Sequence, residues 1–209
     1  FDLRQDHLRL FSLDAAGQPY GSFEALQRAL DEKGQKLVFA MNAGMYGEDL
    51  KPIGLYVEDG APARKLNRRN GPGNFHMKPN GVFFIDGDKG GVMETEAFAR
   101  SGIRPQFASQ SGPMLVIDGA LHPRFLVDSD SVYIRNGVGV SADGQTAFFA
   151  ISDSRVTFHQ FARLFRDVLK TPNALYLDGS ISRLYAPDLG RHDRGLPLGP
   201  IIGTVVPRG

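Results

Sequence analysis

The chain contains no cysteine and no tryptophan. Without cysteine there can be no disulfide, no thiolate metal site and no cysteine nucleophile. A carbohydrate-binding module needs exposed aromatic platforms, and the lack of tryptophan weighs against one. No apolar run approaches the roughly 18–20 residues that a membrane helix requires. The formal net charge is +1, which offers no general attraction for nucleic acid or for an anionic membrane. Several catalytic signatures are also missing. There is no phosphate-cradling G-x-x-x-x-G-K-[ST] and no H-E-x-x-H. Ser111 in "SQSGP" lacks the N-terminal glycine of a G-x-S-x-G elbow. "VDSDSVY" starts like a calcium loop but breaks at Val132. The five histidines are scattered, so neither a metal nor another cofactor is expected.

What is present is an ordinary globular composition, 42% hydrophobic and 22% charged over 209 residues, enough for one domain spanning 1–209. The chain begins at Phe1 and not at Met, so a signal peptide or anchor is expected to have preceded it. Asp-Gly occurs five times, and between apolar runs it signals a hairpin turn. "IGLYVEDGAPARKLN", "GVFFIDGDKGGVMET", "PMLVIDGALHPRF" and "VGVSADGQTAFFAIS" each read as hairpins. "SFEALQRALDEKG" reads as a helix capped by Ser22, and "TFHQFARLFRDVLKTP" as a helix with a Thr157/Gln160 capping box. Phe158, Phe161, Phe165, Val168 and Leu169 are expected on the buried face of that second helix. "NALYLD" has four apolar residues in succession and predicts a central strand covered on both faces. The expected fold is α+β, a mixed or antiparallel sheet with several hairpins packed by a few helices.

Polar residues stand at the ends of the apolar strands: Asn42, Arg135, Asp153 and Asp178. Rigid strand ends can project catalytic side chains. Each also has a structural reading. Asn42 before Ala-Gly is a turn former, Arg135 a hairpin cap or the partner of an acid, Asp153 the N-cap of a short turn before the helix, and Asp178 a fifth Asp-Gly turn. The loop "RRNGPGNFHMKPNG" is of the length that is either functional or solvated, and His76 and Lys78 are its candidates for reaching an anion.

"MNAGMYGEDLKPIGLYVEDG", "IRNGVGVSADGQTAFFAISDSR" and "NALYLDGSIS", with "SQSGPMLVIDG" between them, together resemble the phosphodiester glycosidase family. That family includes an enzyme that removes N-acetylglucosamine from a phosphodiester link to mannose, and bacterial relatives described as exopolysaccharide-related. The likeness runs from about Lys36 to Tyr185, with departures at Ala43, Asn136, Ser154, Ser180 and Ile181. It implies a periplasmic or secreted hydrolase that cleaves the glycosidic C–O bond of a sugar-1-phosphodiester or polysaccharide. Asp178 and Asp153 would then be the catalytic carboxylates. Arg135 and the backbone around Gly112 would hold the phosphate, with His76 or Lys78 reaching it. Asn42 and Ser180 would bind sugar hydroxyls, and Gly179 would allow close approach. A P–O-cleaving phosphodiesterase and a non-catalytic envelope protein are the rival readings.

Overall fold

Each of three five-stranded antiparallel sheets is backed by one helix in the computed structural model of this protein, which describes residues 1–178 and 180–209. The first half of the chain runs β1 (Leu8–Phe11), α1 (Phe23–Asp31), β2 (Gln35–Asn42), β3 (Tyr56–Glu58), β4 (Ala61–Arg64), β5 (Gly81–Asp86), β6 (Lys89–Glu94) and α2 (Thr95–Ser101). It continues through β7 (Phe107–Ser111), β8 (Met114–Ile117), β9 (Ala120–Leu121), β10 (Asn136–Val140) and β11 (Ala147–Ile151). The last part is α3 (Phe158–Arg163), β12 (Asn173–Asp178), β13 (Leu184–Ala186), β14 (Arg191–His192) and β15 (Ile201–Pro207). Among the described residues the sheet orders are β1-β15-β2-β13-β14, β11-β10-β12-β8-β9 and β4-β3-β7-β5-β6. The α+β expectation holds, with the strands divided among three sheets instead of gathered in one.

All three sheets face a common core. It takes Leu10, Met41 and Ile202 from the first sheet, Val138, Leu175 and Leu177 from the second, and Tyr56, Phe83 and Phe107 from the third. The opposite face of each sheet carries its helix. Phe23, Leu26 and Leu30 of α1 pack on Leu37, Ala40 and Ile201. Phe98 of α2 packs with Val57, Val82 and Ala108. Phe161 and Ala162 of α3 pack with Leu115, Ala174 and Tyr176. β12 therefore alternates between two buried faces, with Leu175 and Leu177 inward and Ala174 and Tyr176 under α3. This is why its sequence shows no polar alternation.

The Ser22 cap of α1 forms, its hydroxyl accepting from Ala25 N–H at 3.1 Å. The Thr157/Gln160 capping box of α3 forms as well. One helical expectation fails. Leu164–Val168 is a π-turn, closed by Leu169 N–H donating to Leu164 O at 2.9 Å. The extra residue in that turn shifts the phase. Phe165 stays fully buried, while Val168 is 69% exposed.

Candidate active site

The ends of strands from all three sheets meet at Asp178. Ser111 ends β7 in the third sheet, and its hydroxyl donates to Leu177 O at 2.9 Å. Asn42 ends β2 in the first sheet, and its Nδ2 donates to Asp178 Oδ2 at 3.4 Å. Asn136 opens β10 opposite Asp178, where a bulge follows it. Its Oδ1 accepts from Asp178 N–H at 3.2 Å, and its Nδ2 donates to Asn42 Oδ1 at 3.3 Å and to Ser182 Oγ at 3.0 Å. Asp178 Oδ1 also accepts from Ser180 N–H at 3.1 Å. Asn42 and Asn136 are fully buried, and Asp178 is 6% exposed. A buried carboxylate is tolerable only when donors surround it, and the Asn42 amide and the Ser180 backbone N–H are two of them.

Asp178 is not a hairpin turn. Asp59 and Asp118 have φ of 50° and 48°, and each with its following glycine forms the two-residue connection of a tight hairpin. The Asp86 pair shifts by one residue, since Asp86 pairs with Lys89 and the loop is Gly87-Asp88. Asp143 sits in a longer loop and accepts from Gln145 N–H at 3.0 Å. Asp178 instead ends a buried central strand. Gly179, expected to allow close approach, lies outside the described residues.

The segment after Asp178 opens onto two adjoining hollows. Ser180, Ser182 and Arg183 line a cleft of about 710 Å³ together with Tyr133, Arg155 and residues 192–196. Ser180 and Tyr133 also border a smaller cavity of about 230 Å³, shared with Asn74, Arg135 and Tyr176. Tyr46 feels the same carboxylate. Its phenol is pushed up to about 12 by burial and then by the charge of Asp178, so it remains protonated. Its OH donates to Pro197 O at 3.0 Å.

The remaining expected residues fall into two groups. Arg135 borders the smaller cavity but is enclosed, at 1% exposure. Its guanidinium donates to Val156 O at 2.9 Å, Ser131 O at 3.0 Å and Tyr176 OH at 3.2 Å, and lies 3.6 Å from the Phe158 ring centroid. Burial lowers its pKa, and the Tyr176 hydroxyl partly opposes this. Gly112 is buried where the 65–79 loop touches the end of β7, and a Cβ there would lie 2.7 Å from Phe75 O. That loop is anchored, with Phe75 buried and Asn67 N–H donating to Gln110 Oε1 at 2.8 Å. Asn74 is its member at the smaller cavity. His76 Nδ1 donates to Arg69 O at 3.1 Å and Lys78 Nζ to Arg68 O at 2.8 Å, so both side chains tie the loop to itself. Asp153 stands apart from the buried network: its side chain is 89% exposed and pairs with Arg191 at 2.6 Å. Asn136, Ser111, Tyr46 and Arg183 were not expected at the site. Asn136-Gly137 reads locally as a turn pair, which hides a strand residue.

Residues 35–194 match the sequence profile of the phosphodiester glycosidase family. The Escherichia coli (strain K12) protein YigE is 39% identical over 180 residues, which is 86% of this chain and 70% of YigE. Among solved structures, the zebrafish N-acetylglucosamine-1-phosphodiester alpha-N-acetylglucosaminidase catalytic domain, auto-inhibited by its pro-peptide, shares the fold. Its TM-score is 0.63 at 14% identity, over 94% of this chain and 72% of that one. A Synechocystis protein is similar at TM-score 0.58 and 13% identity, over 99% of this chain and 58% of that one. The extent of the profile match and the identity to YigE establish that the chain belongs to the phosphodiester glycosidase family of hydrolases.

Proposed function

We propose that this enzyme hydrolyses the bond between the anomeric carbon and the phosphate oxygen of a sugar-1-phosphodiester in an envelope or extracellular glycan, and that it works in the periplasm or outside the cell. The observation that carries the proposal is the Asp178 carboxylate, held by Asn42 and Ser180 at a strand end beside an arginine-lined cleft. Cleavage of a glycosidic bond passes through an oxocarbenium-like centre. A fixed carboxylate stabilises that positive charge. The leaving group is a phosphate monoester, whose remaining proton has a pKa near 6. It departs without a strong general acid. This accords with Asp178 being the one carboxylate of the buried network among the described residues, with Asp153 at the surface.

In this reading Asn42 and Asn136 are positioning residues. Both amides are enclosed and bonded to protein partners, so they brace Asp178 and do not contact sugar. Ser180, exposed at the mouth of both hollows, contacts the substrate. Hydrolysis in 18O-enriched water tests the assignment. Label should be absent from the released phosphate monoester and present at the sugar's C1 hydroxyl. Label in the phosphate would refute C–O cleavage and establish the phosphodiesterase reading.

A further inference from the structure

Arg183 is 7% exposed and lines the larger cleft. Its backbone N–H donates to Asn42 Oδ1 at 2.7 Å, which ties it to the Asp178 network. Its guanidinium makes no hydrogen bond or ion pair with any described residue. Burial lowers its pKa, and electrostatic interaction with Tyr46, Glu24 and Asp193 partly opposes this. The group is also shaped in place. Gly195 has φ of 141°, and a Cβ there would lie 2.8 Å from Arg183 Nη2, so bare backbone packs against the fork. A buried guanidinium with unused donors is costly unless an anion meets it.

The other charges on the lining sort by whether they are already matched. His192 and Arg194 share Glu24, each at 3.2 Å. Asp193 is held by Arg191 at 3.1 Å and accepts from Leu184 N–H at 2.9 Å. Arg155 is exposed and has no ion-pair partner among the described residues. The unmatched charges of the cleft, Arg183 and Arg155, are therefore both positive. Both present planar forks suited to phosphate oxygens.

We propose that this cleft is a phosphate subsite with Arg183 as its principal ligand and Arg155 at its rim. It would receive the phosphate of the scissile diester and hold it after cleavage. Arg135, whose fork is engaged by two backbone carbonyls and a phenol, is then a structural residue of the smaller cavity. The existence of an anion site rests on the unmatched arginines. The identification of the anion as substrate phosphate rests on the function proposed above.

Calorimetric titration with inorganic phosphate at low salt, with acetate as comparator, tests the subsite directly. Arg183→Gln should weaken phosphate binding by about tenfold or more, the loss expected of charge-assisted bonds. Arg155→Gln, at an exposed position, should weaken it less, and it decides the matter if Arg183→Gln does not fold. Asp178→Asn should bind phosphate at least as tightly as wild type. The subsite is overturned if wild type does not bind phosphate, if acetate binds as well as phosphate, if folded Arg183→Gln keeps wild-type affinity, or, where that variant does not fold, if Arg155→Gln keeps it. If phosphate binds through Arg183 but no sugar phosphodiester is turned over, the subsite stands and the hydrolytic reading falls.

Discussion

Replacing Asp178 by Asn removes one charge and keeps the size, and the surrounding bonds show what else it disturbs. Asp178 Oδ1 accepts from Ser180 N–H and Oδ2 from Asn42 Nδ2. An asparagine offers one acceptor and one donor group in their place. Asn42 cannot rotate its amide to adapt, because its Oδ1 already accepts from Arg183 N–H at 2.7 Å and Asn136 Nδ2 at 3.3 Å. Whichever way the new amide turns, its NH2 meets a donor, the buried Asn42 amide or the Ser180 N–H. One hydrogen bond is lost and one donor is left facing another, at a cost of about 1–3 kcal/mol. A domain with about 5–15 kcal/mol of stability survives that loss. At about 2–4 °C per kcal/mol for a chain of this size, the midpoint should fall by roughly 2–12 °C. The catalytic loss is separate. Without the negative charge at the anomeric centre, kcat should fall on the order of a hundredfold or more. The assay is sugar released from a panel of methyl sugar-1-phosphate diesters, with thermal melting in parallel. Asp118→Asn is the control, since Asp118 is a true turn residue with φ of 48° that asparagine can replace. It should change stability by no more than about 0.5 kcal/mol and leave kcat unaltered. An Asp178→Asn enzyme with wild-type kcat would refute the catalytic role, and one with an unshifted melting point would refute the donor-clash argument.

Two further perturbations probe the frame around the site. Val168→Lys should be neutral within about 0.5 kcal/mol, whereas Phe165→Ala should cost about 3–5 kcal/mol by melting, because the π-turn exposes Val168 and leaves Phe165 fully buried. A similar cost at both positions would show that the helix keeps a regular α phase. Gly199→Ala would place a Cβ 2.3 Å from Cγ of Tyr46, a side chain that senses the charge of Asp178. Overpacking of this kind costs about 1–3 kcal/mol. A lowered melting point with reduced kcat is expected, and unchanged values for both would show that Tyr46 moves freely.

Local chemistry made the hairpins, both capped helices and the doubly buried β12 legible in the sequence. Other elements left weaker traces. β7 carries Ser109, Gln110 and Ser111, all buried, and so many polar residues leave no apolar run to mark a strand. They are inside because Gln110 accepts from Leu55 and Asn67 N–H and Ser111 donates to Leu177 O. α2 is capped by Glu94, whose carboxylate accepts from Glu96 and Ala97 N–H, an uncommon cap that gives little warning of a helix. The Asn42–Asn136–Asp178 cluster could be suspected only in part. Asn42 and Asp178 stand at visible strand ends, but their contact depends on how the first and second sheets are placed, which no local pattern encodes. Asp153 has the same strand-end signature and lies at the surface beside Arg191. Strand ends therefore give candidates, and the packing of the sheets chooses among them.

The five Asp-Gly pairs show where the choice is made. Asp59-Gly60 and Asp118-Gly119 join strands that pair at once, Glu58 with Ala61 and Ile117 with Ala120. For β12 both flanks are taken by β10 and β8, and neither follows it in sequence. The chain cannot turn back beside itself in that sheet, and it leaves to form β13 beside β2 in another. Departure from a saturated central strand places Asp178 at the boundary between sheets, where Asn42 arrives from the first and Ser111 from the third. The unbroken apolar run of "NALYL" reports a separate property, the burial of both faces of β12, because a strand covered on both sides has no use for alternation. Asp-Gly also follows unbroken apolar runs in "VFFIDG" and "MLVIDG", where it closes hairpins, so it is the pairing of both flanks of β12, and not the run before it, that keeps Asp178 out of a turn.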